Sequence, residues 1–140
     1  MKHSIIICFS TLLFTVGCQS QKEDVNAIKK TITNFSKAGD TNNVKELETL
    51  LDANYRIVMN QLFGSTEVSV VPRSVYLQKI GSKEWGGDKR ELTFDNIVVN
   101  GNTACAKVIM KGQKSTFQSL LLLVKDNKGS WKLVSDVPEM

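Results

Sequence analysis

Two carboxylates, Asp95 and Asp136, sit inside runs of apolar and β-branched residues, where a buried acid can serve as a general base. Asp95 shares a predicted strand face with Ile97 and Val99, across from Ala104, and burial on that face raises a carboxyl pKa. Asp136 alternates with Val134 and Lys132 in the last apolar run and is a similar case. Each also reads as a surface acid, Asp95 beside Lys107 or Arg90. Tyr55 and Arg56 are neighbours in another β-rich run, so they point to opposite faces and one of them turns inward. An inward Arg56 binds an anionic ligand; an outward one pairs with Glu67. Arg73 follows Pro72 at a predicted helix N-terminus, where free amides and a cation suit a phosphate or carboxylate. Trp131 and Phe117 are core residues first and ligand platforms second. Cys105, between two alanines, reads as a small core residue.

The chemistry that is missing is set by the N-terminus. Lys2, then an apolar run from Ile5 to Val16 ending in Thr15-Val16-Gly17-Cys18, describes an export signal over residues 1–17. The run is shorter than the ~20 residues a spanning helix needs. A cysteine directly after Gly17 resembles the lipobox of bacterial lipoproteins, which implies that Cys18 is acylated and held in membrane lipid, with residues 18–24 as a tether. Gln21-Lys22-Glu23-Asp24 resembles the tag that sends Bacteroidetes lipoproteins to the cell surface. The implied location is the outer membrane, surface-exposed or else facing the periplasm. Loss of the leader removes the one histidine, His3, and Cys8. What remains has no imidazole, so zinc sites of the Cys/His kind and Ser-His-Asp or Cys-His machinery are excluded. No phosphate loop, nucleophile elbow or EF-hand spacing appears, and no metal or other cofactor is expected. The net charge of +4 is spread thinly, with Lys29-Lys30 and Lys89-Arg90 as the adjacent basic pairs, which argues against nucleic-acid binding.

The elements that must position these residues form one domain, residues 25–140. Val25, Ile28, Ile32 and Phe35 recur at helical spacing, and Gly39 stops that helix. Asn43 with Glu46 is a capping pair for a second helix with the stripe Val44, Leu47, Leu50 and Leu51. Tyr55–Asn60 and Glu67–Val71 read as strands, and Pro72 opens a third helix over Arg73–Ile80, packed through Tyr76, Leu77 and Ile80. A meander follows: Leu92–Val99, Thr103–Met110, Thr116–Lys125 and Ser130–Val137. Asn100-Gly101 is read as the two central residues of its first turn, which pairs Ile97 with Ala104 and Asp95 with Ala106. The run Leu120–Val124 is apolar on both faces, so its strand sits mid-sheet, with helices over one side and a second copy of the chain over the other.

Three helices followed by long antiparallel strands resemble the nuclear transport factor 2-like superfamily. The closing pattern Thr116-Phe117-Gln118-Ser119-Leu120-Leu121-Leu122-Leu123, Lys125-Asp126 and Gly129-Ser130-Trp131-Lys132-Leu133-Val134 resembles its putative lumazine-binding branch. The resemblance implies an α+β fold, three N-terminal helices packed on a strongly curved, cone-shaped antiparallel sheet. The superfamily hosts enzymes and non-enzymatic modules alike. The favoured reading is a non-catalytic, membrane-anchored module that binds a small apolar ligand or a protein partner and forms a homodimer through the sheet face. Arg56, Arg73 and Trp131 are its candidate ligand contacts. The alternative is an isomerase-, dehydratase- or cyclase-type enzyme with Asp95 or Asp136 as base and Tyr55 as hydrogen-bond donor.

Overall fold

The computed structural model describes residues 16–140, with side chains from Ser20 onward. The predicted leader lies almost wholly outside the described residues, as does the side chain of Cys18. The elements in chain order are α1 (Val16–Asp40), α2 (Val44–Leu50), β1 (Leu51–Asn60), a 3-10 turn (Leu62–Gly64), β2 (Val68–Pro72), α3 (Arg73–Gly81), β3 (Glu91–Asn100), β4 (Thr103–Lys111), β5 (Thr116–Lys125) and β6 (Trp131–Glu139).

Helix α1 buries Ile28, Ile32 and Phe35, the stripe its periodicity predicts, and continues it through Ala38. It begins well before Val25, so the backbone of the expected tether is helical. Asp24 supplies a tertiary reason. Its Oδ1 accepts a hydrogen bond from the Trp131 indole at 3.1 Å and pairs with Lys125 Nζ at 2.6 Å, fixing this turn to the β5–β6 hairpin. Helix α2 is capped as expected: Asn43 Oδ1 accepts from the Glu46 amide, and Asn43 Nδ2 donates to Glu46 Oε2, both at 3.1 Å. Leu51 leaves that helix and opens β1 instead, earlier than the predicted start at Tyr55.

The six strands form one sheet in the order β2-β1-β6-β5-β4-β3. The chain leaves β2 at one edge, crosses through α3 to β3 at the other, and returns by three hairpins. That route brings β6 beside β1 running in the same direction, so one pair is parallel where a purely antiparallel sheet was expected. The sheet keeps open edges and is not strongly curled, short of the cone that the resemblance implies. The first hairpin differs in register too. Asn100 pairs with Thr103 and Ile97 with Ala106, so Gly101 and Asn102 are the turn. Gly101 carries the positive φ there, as a turn with glycine in its first central position needs.

The helices lie on one face of the sheet. Ile28, Ile32, Leu47, Ile80, Leu121, Leu123 and Leu133 are essentially inaccessible between the layers, each contributing about 1.5–3 kcal/mol by burial. The other face is open. Val98, Leu120 and Leu122 are exposed there, with Cys105 in register between Val98 and Leu122.

Candidate functional site

Strand β6 carries one residue more than its partner. Leu133 pairs with Leu123 and Ser135 with Leu122, which leaves Val134 as a bulge. Alternation restarts after it, and Asp136, opposite Leu121, faces the helices on the same side as Leu133. The sequence reading grouped Asp136 with Val134 and Lys132; the bulge separates them. Asp136 is 8% exposed. Burial drives its pKa up from the ordinary carboxylate range to about 7, against the opposing pull of a side-chain hydrogen bond from Ser119 and the charge of Arg90. A carboxyl with its pKa raised this far can donate a hydrogen bond or accept a proton.

A cavity of about 300 Å³ opens beside it. The sheet contributes Ile57, Met110, Phe117 and Ser119, and the helical layer contributes Phe35, Tyr76 and Ile80, with Trp85 from the loop after α3. Most of these are buried, whereas Phe63 and Lys114, which also line it, are exposed and mark its opening. The walls are thus chiefly apolar, with polar groups gathered around Asp136.

Tyr76 is one of those polar groups. Burial, then the charge of Asp136, holds its hydroxyl protonated far above the usual tyrosine range. Tyr55 stacks behind it, ring centroids 5.5 Å apart, and its pKa is raised by burial, Asp136 and Tyr76 in that order. The Tyr55 hydroxyl is buried with no hydrogen-bond partner among the described residues. Both tyrosines are therefore donors at any physiological pH. Arg90 completes the set. Asp40 at the end of α1 accepts from its backbone amide at 2.9 Å and lies 3.1 Å from its Nε.

The remaining candidates stand elsewhere. Asp95 is the bulged residue of β3, on the outside of the sheet, ion-paired with Lys107 at 2.8 Å; it does not reach the cavity. Arg56 is exposed, paired in register with Pro72 and Ser135 on the outer face. Arg73 begins α3, but its Nη2 donates to the Glu48 carbonyl at 3.1 Å. Trp131 is a core residue spent on Asp24, with Lys125 over its ring. Of the acids proposed from sequence, the structure brings Asp136 to the cavity, with Tyr55 behind the wall. Tyr76, Arg90 and Ser119 were not foreseen as site residues. For Ser119 a signal existed, because Phe117, Ser119, Leu121 and Leu123 alternate along one face of β5. Among the described residues no group of three or more His, Cys, Asp or Glu side chains could hold a metal ion, and no helix is long and apolar enough to cross a membrane.

Solved structures share this architecture. An NTF2-like protein of unknown function from Silicibacter pomeroyi superposes with a TM-score of 0.73 at 17% identity, over 85% of this chain and 97% of that one. A second, from Shewanella baltica, gives 0.71 at 14% identity over 84% and 93% of the two chains. A protein described as a putative ketosteroid isomerase, from Shewanella frigidimarina, gives 0.62 at 20% identity over 81% and 94%. At these identities the likeness is one of fold. No match is found among curated proteins. The family model described as putative lumazine-binding matches residues 23–137, from the turn of α1 that carries Asp24 to the strand that carries Asp136, and the chain belongs to that family, with an NTF2-like α+β fold.

Proposed function

We propose that this chain is a binding module that takes one small, largely apolar molecule into the cavity and holds its polar end at Asp136. The observation behind this reading is the cavity itself, about 300 Å³ with apolar walls and one buried carboxyl, at the lower end of the range for ligand pockets. The family description names lumazine. A flat bicyclic ring bearing carbonyl oxygens has the chemistry that Phe35, Trp85 and Phe117 faces and a protonated Asp136 would recognise. Native mass spectrometry of the protein lacking residues 1–18 tests this. A co-purifying or added small molecule should be lost on filling the cavity with Ser119→Phe, and equal binding by that variant would refute the assignment.

A second reading draws on the near-neutral pKa of Asp136. Such a carboxyl can take a proton from carbon while Tyr76 donates to the developing oxyanion, the chemistry of an isomerase, dehydratase or cyclase. Exchange of α-protons of candidate ketones into D₂O, followed by NMR, should then stop with Asp136→Asn.

Two further proposals concern setting. An acylated Cys18 would tether the domain to the bacterial outer membrane, at the surface or facing the periplasm; multiple acyl chains anchor stably where one does not. Cys18→Ser should release the protein from membranes. A second copy would cover the open sheet face, where Val98, Leu122, Leu120 and Val70 are each more than two-fifths exposed. Light scattering should show a dimer that Leu122→Lys dissociates, and a wild-type monomer at high concentration would end the idea.

A further inference from the structure

We infer that Arg90 anchors an oxyanion on the cavity's occupant, so that the ligand class is a small apolar molecule carrying a carboxylate or similar acidic group. The inference rests on the binding reading above and adds the charge of the ligand to it.

Arg90 immediately precedes β3, lines the cavity and keeps only 18% of its side chain exposed. Asp40 is what holds it there, through the backbone amide at 2.9 Å and the Nε at 3.1 Å. That occupies one edge of a planar group with five N–H donors. Nε faces Asp40 off the hydrogen-bond line and is buried with no hydrogen-bond partner among the described residues. Arg90 lines the same cavity as Asp136 and Tyr76. A half-buried guanidinium on a cavity wall is matched by a planar oxyanion that accepts two parallel bonds.

Two of the three nearby acids are already engaged. The Asp88 carboxylate at the cavity rim accepts from the amides of Lys89, Gln113 and Lys114 at 2.7, 3.0 and 3.2 Å. Asp40 is paired with Arg90, whereas Asp136 keeps its buried Oδ1 without a hydrogen-bond partner among the described residues. Lys114, exposed at the opening and in no ion pair among the described residues, adds a second cation on the path in. An incoming anion therefore meets two cations, Lys114 at the opening and Arg90 inside.

Two fluorescent probes with one ring system separate the charge from the apolar contact: 1-anilinonaphthalene-8-sulfonate and its uncharged parent N-phenyl-1-naphthylamine. Wild-type protein should bind the sulfonate at least about tenfold tighter, a ratio worth about 1.4 kcal/mol. Arg90→Met should collapse the ratio to near one while the neutral probe's affinity stays the same, and Arg90→Lys should restore part of it. Lys45→Met, which removes an exposed cation on α2 away from the cavity, should leave both affinities unchanged. Should Arg90→Met unfold because Asp40 is left buried and unpaired, the double variant Asp40→Asn, Arg90→Met carries the same test. Neutral-probe binding with no preference for the sulfonate, or a preference that survives loss of Arg90 or is abolished by Lys114→Met alone, overturns the assignment and leaves the cavity reading standing. Failure of both probes to bind folded wild-type protein overturns both.

Discussion

Leu133 and Asp136 lie on one face of β6 although three positions separate them. In a regular strand an odd separation puts two side chains on opposite faces. Val134, the bulged residue, absorbs the difference and turns a carboxyl into the layer between sheet and helices. A core-facing acid that makes no ion pair among the described residues, with Arg90 paired to Asp40 instead, costs stability, and such local inconsistencies gather where a protein has a site.

That cost gives the first prediction. Asp136 ionises near pH 7 in the folded protein and near 3.8 when exposed, so the folded state holds the extra proton between those values. Stability contributed by the neutral carboxyl is full below about pH 4 and is lost as pH rises to about 7, then stays flat. Asp24, Asp88 and Asp126, whose pKa values are lowered mainly by Lys125, the Lys89 amide and the Ser130 amide respectively, act oppositely and weaken the fold in acid. Asp136→Asn should therefore be more stable than wild type at pH 8, by on the order of a few kcal/mol, with the advantage vanishing toward pH 4. Urea unfolding of both proteins across this range measures the difference, and a difference independent of pH would contradict the buried, neutralised carboxyl.

Tyr55 provides the second. Its hydroxyl is buried with no partner, while its ring packs against Phe35 and Tyr76. Tyr55→Phe keeps the ring contacts and removes an unsatisfied polar group, so it should raise stability by about 1 kcal/mol. A lower unfolding midpoint would mean that the hydroxyl has a partner, and the effect of an added ligand on the same pair of proteins would show whether the ligand supplies it.

The fold was largely legible because its signals are periodic. The α1 stripe, the Asn43–Glu46 cap and the alternation of β5 each follow from local spacing. The site was less so, because bulges break that spacing. Asp95 lies outward and Asp136 inward for the same reason: each strand carries one extra residue, and nothing in its composition announces it. Tyr76 was visible as a buried helix residue but not as a cavity donor. Arg90 reaches its place through Asp40, fifty residues earlier, a contact that no short-range pattern encodes.

The loop at the cavity opening yields a third expectation. Gln61 and Phe63 both hold left-handed backbones, φ 54° and 55°, and Phe63 is 72% exposed, so no burial offsets the conformational cost. Phe63→Gly should gain up to about 1 kcal/mol while losing affinity for an apolar probe. Loss of stability would show that the ring packs in solution.

Gly86 and Gly101 form a controlled comparison for the last prediction. Both have positive φ, +80° and +57°, so alanine is strained at either. At Gly101 a Cβ meets nothing within 4 Å, and the substitution should cost only the conformational strain, about 1 kcal/mol. At Gly86 the same Cβ would stand 2.2 Å from the Gly39 carbonyl oxygen and 2.9 Å from Asn42 Nδ2. Those groups stitch the end of α1 to the loop after α3: the Gly39 oxygen accepts from the Gly87 amide, and Asn42 Nδ2 donates to the Ile80 and Trp85 carbonyls at 2.9 and 2.7 Å. Since backbone cannot yield as a flexible side chain does, Gly86→Ala must break these bonds, each worth about 1 kcal/mol, on top of the strain. Its unfolding free energy should fall by roughly 4 kcal/mol. Trp85, released from Asn42, should show a red-shifted emission, and the apolar probe should bind more weakly. If the two alanine variants unfold at the same urea concentration, the close approach at Gly86 contributes nothing and the wall of the cavity is held by other contacts.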